Sequence, residues 1–151
     1  MMSIETLTFD SVELHRYMLE AWPDRADSFA PERFDRFEPG TCRMRSRVLD
    51  EDFRPGGTVS GPTLMALADS ASYAIILGHL GEAALAVTTS LSIDFLRRPT
   101  GPVLFADCDL VKLGRSLAVC RVTIASGSDS SEPVMAHPEA IANVTYSLSL
   151  V

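Results

Sequence analysis

PGGTVSGPTLMALADSASYAIILGHLG, residues 55–81, holds one formal charge in 27 residues, and that charge is Asp69. Leu64, Leu67, Ala68, Ala71 and Ile75 recur at helical spacing and predict a core stripe. Ala66, Ser70 and Ala74 keep the other side small, so a second backbone can approach it closely, as in a subunit interface. Small and apolar residues all round predict a long buried helix with a sheet curling about it. A carboxylate there needs a reason, because an ionised group leaves water at a cost of several kcal/mol unless paired or hydrogen-bonded. Asp69 is therefore held by a specific partner, kept protonated, or used for chemistry.

The stretch approaches the ~20 residues that span a bilayer. Asp69, His79 and several small hydroxyl residues argue against that use; a central Asp alone costs roughly 2.5–3.5 kcal/mol on insertion scales. We expect a soluble core helix and no membrane partner. The 151 residues suit one domain with a proper core, and the 46% hydrophobic content suits a globular chain. A net charge of −7 argues against nucleic-acid binding, which needs a basic footprint. Cys42, Cys108 and Cys120 have no metal-site or redox spacing and read as small buried residues in a reducing compartment. The N-terminus MMSIETLTFDSVE is acidic and lacks an apolar signal core, which predicts a cytoplasmic protein. No metal cluster or phosphate-cradling Gly-Lys motif appears, so neither metal nor cofactor is expected.

Outward from the helix, the chain divides into residues 1–39, an N-terminal helix and connection, and residues 40–151, the main domain. Asp10 and Glu13 have capping-box spacing, with Phe9 and Leu14 at staple positions. Leu14, Tyr17, Met18, Ala21 and Trp22 form one apolar face, and Pro23 closes the helix. Residues 24–39 read as an irregular connection. In Thr41–Leu49, Cys42, Met44, Ser46 and Val48 alternate with Arg43, Arg45 and Arg47; the arginine row either meets an anionic ligand or pairs with acidic neighbours on a solvated face. After the long helix, Val87, Thr89, Leu91, Ile93 and Phe95 alternate with Thr88, Ser90, Ser92 and Asp94. Leu104–Leu110, Ala118–Ile124 and Ala140–Leu150 alternate similarly, with a turn at Gly114-Arg115 and a loop at 127–133. Consecutive strands after the helix predict an antiparallel sheet and an α+β fold. His15, His79 and His137 lie in no nucleophile–base spacing; His79 sits near the helix end, where a cation suits the dipole.

The Gly-containing loop, the helix opening at Gly61, the run Leu67-Ala68-Asp69, the strand VTTSLSIDFLRRPTGP and the turn LGRSLAV occur in an order that resembles the hotdog fold. Within it, residues 40–151 are similar to the acyl-CoA thioesterases of the phenylacetyl-CoA thioesterase type. The resemblance implies an antiparallel sheet wrapped around a long central helix, here with an extra N-terminal helix. It implies that the Gly61 amide polarises a thioester carbonyl, that Asp69 is general base or nucleophile, and that Thr88 positions water. In that family a His-Gly-Gly motif opens the helix nine residues before the acidic residue; here Ser60-Gly61-Pro62 stands in that place, and Ser60 is expected to cap the helix or, with Thr88, to position water or the carbonyl. Arg54 replaces an upstream Asn and brings a fixed positive charge, to pair with Asp69 or to bind a substrate anion. Gly57, Leu64, Met65 and Tyr73 are expected to line the substrate. Arg98 and Arg115 are expected to meet coenzyme A phosphates, which enter only as part of the substrate.

Gly61 and Asp69 are eight residues apart, about 12 Å along a helix axis. One carbonyl cannot touch both within one helix, so joint action requires two subunits related by a two-fold axis. The expected assembly is a homo-oligomer, a dimer at least, with a tetramer also open. Two rival readings remain at this point. One is an acyl-CoA-binding protein without catalysis, which Ser60, Pro62 and Arg54 favour. The other is a hotdog dehydratase, to which FRPGGTVSGPTL bears a faint similarity.

Overall fold

The computed structural model describes residues 3–149; Leu150, assigned above to the closing strand, lies outside them. The Glu13 N–H donates to the Asp10 carboxylate at 2.8 Å and the Asp10 N–H donates back to Glu13 at 3.5 Å. This capping box opens α1 (Ser11–Ala21). Leu14 and Met18 are buried, but Ala21 and Trp22 face outward. The buried face of α1 is thus narrower than its sequence pattern.

Residues 24–39 are not irregular, which corrects the expectation. Two 3₁₀ turns, Pro23–Phe29 and Pro31–Arg33, lead into β1 (Phe34–Glu38). β1 pairs with β2 (Thr41–Arg47), with a register shift between Phe34 and Arg36. That shift breaks the two-residue period by which a strand is recognised.

β3 (Phe53–Arg54) and β4 (Thr58–Val59) form a small hairpin. Gly56 and Gly57 close it with φ of +99° and +75°, backbone that a side chain would strain. Then come α2 (Gly61–Leu80), β5 (Val87–Phe95), β6 (Val103–Leu113), β7 (Leu117–Gly127) and β8 (Ala140–Ser147). The six-stranded sheet has the order β1-β2-β6-β7-β8-β5 and is antiparallel throughout. It curls around α2, with a further helix N-terminal to it, as expected.

The predicted stripe Leu64, Leu67, Ala68, Ala71 and Ile75 is buried. Every residue from Ala71 to His79 is buried, because the N-terminal segment covers what the sheet leaves. The Gly78 carbonyl accepts from the Thr8 and Phe9 N–H groups at 2.8 and 2.9 Å. A Cβ at Gly78 would come within 2.8 Å of the Phe37 ring, so only glycine admits this approach. Ala74, expected on the approachable side, is therefore inside the protomer. Nearer its start α2 stays bare: Pro62, Met65 and Ala66 are exposed, and Asp69 and Ser70 are half-buried. α2 is the one described helix long and apolar enough to cross a membrane, and 67% of that window is buried within the fold.

The arginine row pairs with acids. Arg43 forks onto Asp107 and reaches Glu132, Arg45 forks onto Asp35, and Arg47 meets Asp129. Cys42, Cys108 and Cys120 are unpaired and buried on neighbouring strands. The Cys108 thiol and then burial push the Cys120 thiol up, so it is inert at neutral pH.

His79 does not serve as a cation at the helix end. Its Nε2 accepts from the Gly40 N–H at 3.0 Å, which requires a lone pair, and burial lowers its pKa below the ordinary 6.5. The unfolded chain therefore binds the extra proton first as pH falls. Stability is fully present above about pH 6.5 and is lost as the pH drops toward the lower folded value. In thermal melts between about pH 5 and 7, His79→Gln should flatten this acid limb; unchanged slopes would remove His79 as its source.

Candidate active site

Asp69 lies midway along α2, where the buried half of the helix meets the bare half. Its Oδ1 accepts from the Thr88 hydroxyl at 2.6 Å and from the Tyr146 phenol at 2.7 Å. Tyr146 also lies 3.2 Å from the Asp69 carbonyl. Burial, with the adjacent carboxylate adding to it, pushes the Tyr146 phenol well up, so it stays protonated and donates. Asp69 Oδ2 makes no hydrogen bond among the described residues. One oxygen is thus fixed by two hydroxyls and the other is left for a ligand or a water. No arginine pairs with Asp69 among the described residues, so the Arg54 pairing is not formed within the protomer.

Thr88 reaches Asp69 because β5 carries a bulge. Opposite β8, Thr88 pairs with Tyr146 but Ser90 pairs with Thr145, so Thr89 is the extra residue. Beyond the bulge, Leu91, Ile93 and Phe95 lie opposite Val144, Ala142 and Ala140 on the inner face. Strict alternation had set Thr88 on the other face from these three. The bulge returns it to theirs and turns Val87 outward.

Asp69 and Thr88 line a cavity of about 440 Å³ with Trp22, Phe29, Tyr73 and Tyr146. The Tyr73 phenol donates to the Ala84 carbonyl at 2.9 Å, and burial pushes it up to about 12.

At the start of α2, Ser60 is the N-cap. Its hydroxyl accepts from the Thr63 N–H at 3.4 Å and lies 2.8 Å from the Thr63 hydroxyl, which donates to Asp52 at 3.2 Å. Pro62 follows in the first turn, where its missing N–H costs little. Gly61 presents its N–H at the positive end of the helix dipole. A Cβ there would sit 3.2 Å from the Phe95 ring. Gly61, Leu64, Phe95, Arg54, Arg97 and Arg98 line a second cavity of about 570 Å³. Arg97 donates to the Pro138 carbonyl at 3.1 Å; Arg54 and Arg98 form no ion pair among the described residues.

The sequence-predicted residues thus fall into two groups. Asp69, Thr88 and Tyr73 share one cavity, whereas Gly61, Leu64, Arg54 and Arg98 share the other. Gly57 sits at the exposed hairpin tip, Met65 on the bare face of α2, and Arg115 on an exposed turn; none of the three lines either cavity. Sequence reasoning missed Tyr146 as a partner of Asp69. Its inward position was readable from the period of β8, but its distance from Asp69 was not. Among the described residues, no three His, Cys, Asp or Glu side chains converge on one point.

A family model described as the thioesterase superfamily matches residues 56–132. A candidate thioesterase from Silicibacter sp. TM1040 is 40% identical, with a TM-score of 0.77 over 97% of this chain and 96% of that one. A thioesterase family protein from Silicibacter pomeroyi is 21% identical, with a TM-score of 0.73 over 91% and 96% of the two chains. A hypothetical thioesterase from Streptococcus pneumoniae TIGR4, crystallised with coenzyme A, is 20% identical, with a TM-score of 0.63 over 77% and 84%. No curated protein matches the chain in sequence.

The two hydroxyls on Asp69 should differ in weight. Tyr146→Phe removes a buried donor to a carboxylate and should cost about 1.5 kcal/mol. Thr88→Val removes an exposed one and should stay within about 0.5 kcal/mol. Urea unfolding of both variants checks the order; a larger loss for Thr88→Val would reverse the assignment of the buried donor.

Proposed function

Because the chain belongs to the thioesterase superfamily and has the hotdog fold, we propose that it hydrolyses a small or medium acyl-CoA to the free acid and coenzyme A, with Asp69 and Gly61 supplied by different subunits. The observation that carries this reading is the placement of the two half-sites on β5. Among the described residues that strand is an edge, paired only with β8. Thr88, at its start, holds Asp69; Phe95, at its end, packs against Gly61. At ~3.3 Å per residue the two ends are roughly 20 Å apart.

The free edge of β5 has no Lys or Pro and only one charge, Asp94, so little discourages pairing. Val87 and Phe95 are 45% and 52% exposed along it. Antiparallel pairing of β5 with its copy about a two-fold axis would set the start of one strand beside the end of the other. Each Asp69 would then face the partner's helix N-terminus, giving two equivalent sites in a dimer.

In such a site Asp69 Oδ2 takes a proton from a water that adds to the thioester carbon. Alternatively, it adds directly to give an anhydride that water opens. Either way the carbonyl electrons move onto oxygen, the C–S bond breaks, and coenzyme A leaves as its thiolate. The partner's helix N-terminus, through the N–H of Gly61, holds the oxyanion. Thr88 orients the carboxylate and positions water, and Ser60 sets the helix start. The acyl group runs along the subunit interface near Leu64, Met65 and Tyr73. Arg54 and Arg98 suit the coenzyme A phosphates, and the coenzyme A held by the Streptococcus pneumoniae protein is consistent with that ligand. We place the protein in the cytoplasm, where three free buried thiols are stable.

A second reading is acyl-CoA binding without turnover. The Ser60 hydroxyl favours it, because capping already occupies that group.

The test is thiol release from a panel of acyl-CoAs. Asp69→Asn should slow it by on the order of 10²–10⁴ with the oligomer intact. Asp69→Asn mixed with Gly61→Val, each inactive alone, should regain activity through hybrid dimers with one complete site. Near-normal turnover in Asp69→Asn would end the catalytic reading, and absence of rescue would end the shared site.

A further inference from the structure

The cavity beside Asp69 is closed by residues from outside the sheet and its helix. Trp22, the chain's only tryptophan, ends α1 and is 46% exposed, an unusual position for so large an apolar group. It stands edge-on to Tyr73, with ring centroids 6.3 Å apart at 87°. Phe29, from the following 3₁₀ turn, packs on Tyr73 from another direction at 5.7 Å. The Arg25 guanidinium lies 5.7 Å from the centre of the Trp22 ring, within cation–π range.

Beside this stack lies a cavity of about 690 Å³, with Met44, Leu67 and Val103 among its apolar lining and Arg33, Arg45, Arg47, Asp52 and Asp129 among its charged lining. Arg25 and Ser70 line both cavities. Ser70 follows Asp69 on the bare face of α2. The two cavities thus meet at Arg25, which rests on the exposed Trp22, and at Ser70.

We infer that the Arg25–Trp22 stack, opposite Ser70, is the stop that limits acyl length at the Asp69 site; the inference rests on the thioesterase reading above. A short acyl group ends against Trp22 and Tyr73. A longer one would have to pass between Arg25 and Ser70 to reach the apolar floor of the groove. The stack blocks that passage with a contact of modest strength between exposed side chains. Its removal leaves the buried core untouched, and acyl length becomes a property of the N-terminal segment.

The experiment compares kcat/KM for decanoyl-CoA and butyryl-CoA. Arg25→Ala and Trp22→Ala should each raise the decanoyl-to-butyryl ratio about tenfold, the scale of one lost aromatic or cation–π contact. Ser70→Leu, which fills the passage from the other side, should lower it. A gain on the longer substrate cannot come from misfolding. An unchanged ratio in both alanine variants, beside an active parent, overturns the inference and leaves the thioesterase reading standing. If the parent releases thiol from no acyl-CoA, the thioesterase reading falls instead. The same ratio is then read as binding, from the fluorescence of Trp22 titrated with the two acyl-CoAs in the parent and in Arg25→Ala. An unchanged binding ratio there overturns the inference.

Discussion

A helix that is apolar on every side has to be covered on every side, and the rest of this structure follows from how α2 meets that demand. The sheet covers one flank along the whole length. The N-terminal segment covers the second flank only over the later turns, through the Thr8 and Phe9 N–H groups on the Gly78 carbonyl, the Phe37 ring against Gly78 and the Phe29 ring against Tyr73. The first turns keep Pro62, Met65 and Ala66 exposed. Hydrophobic surface left in a row beside an unpaired strand edge is the usual mark of a surface meant for another molecule. Asp69 lies at that boundary, with Oδ1 held by two protein hydroxyls and Oδ2 left without a protein donor among the described residues.

Asp69 meets its desolvation cost with neutral donors and not with a cation. Two hydroxyls on Oδ1 compensate part of what water would supply. An arginine in the same place would also have compensated the charge, but it would have occupied the second oxygen as well. Three arginines of the chain are engaged elsewhere. Arg43, Arg45 and Arg47 form an ion-paired ladder on the outer face of the sheet with Asp35, Asp107, Asp129 and Glu132. That ladder ties the 127–133 loop to β2. Arg54 and Arg98, near the helix N-terminus, are not part of it.

The bulge in β5 shows how a single inserted residue changes what an edge strand can do. Without Thr89 as an extra residue, Thr88 would point to the outer face and Asp69 would keep one protein donor, Tyr146. With it, a polar residue enters the inner face at the one place where α2 offers a carboxylate. The strand returns to apolar packing two residues later. Bulges near functional groups re-aim side chains in this way.

Much of this was legible in the residues themselves. The stripe Leu64–Ile75, the Asp10 cap, the alternation of β6 to β8 and the isolation of Asp69 are all local patterns, set by helical and strand periods that a sequence carries directly. The resemblance through Gly61, Asp69 and Thr88 added a chemistry to those positions. The strand at Phe34–Glu38, the inward turn of Thr88, the neutral state of His79 and the bond from Tyr146 were not legible. Each depends on a register shift, a bulge or a contact between residues far apart in the chain, and none of these leaves a period to read. The sequence by itself determined which helix is buried and which carboxylate is out of place. Only the tertiary structure decided that Asp69 and Gly61 lie at opposite ends of one free strand edge, because strand order and register are set by packing the whole sheet around α2.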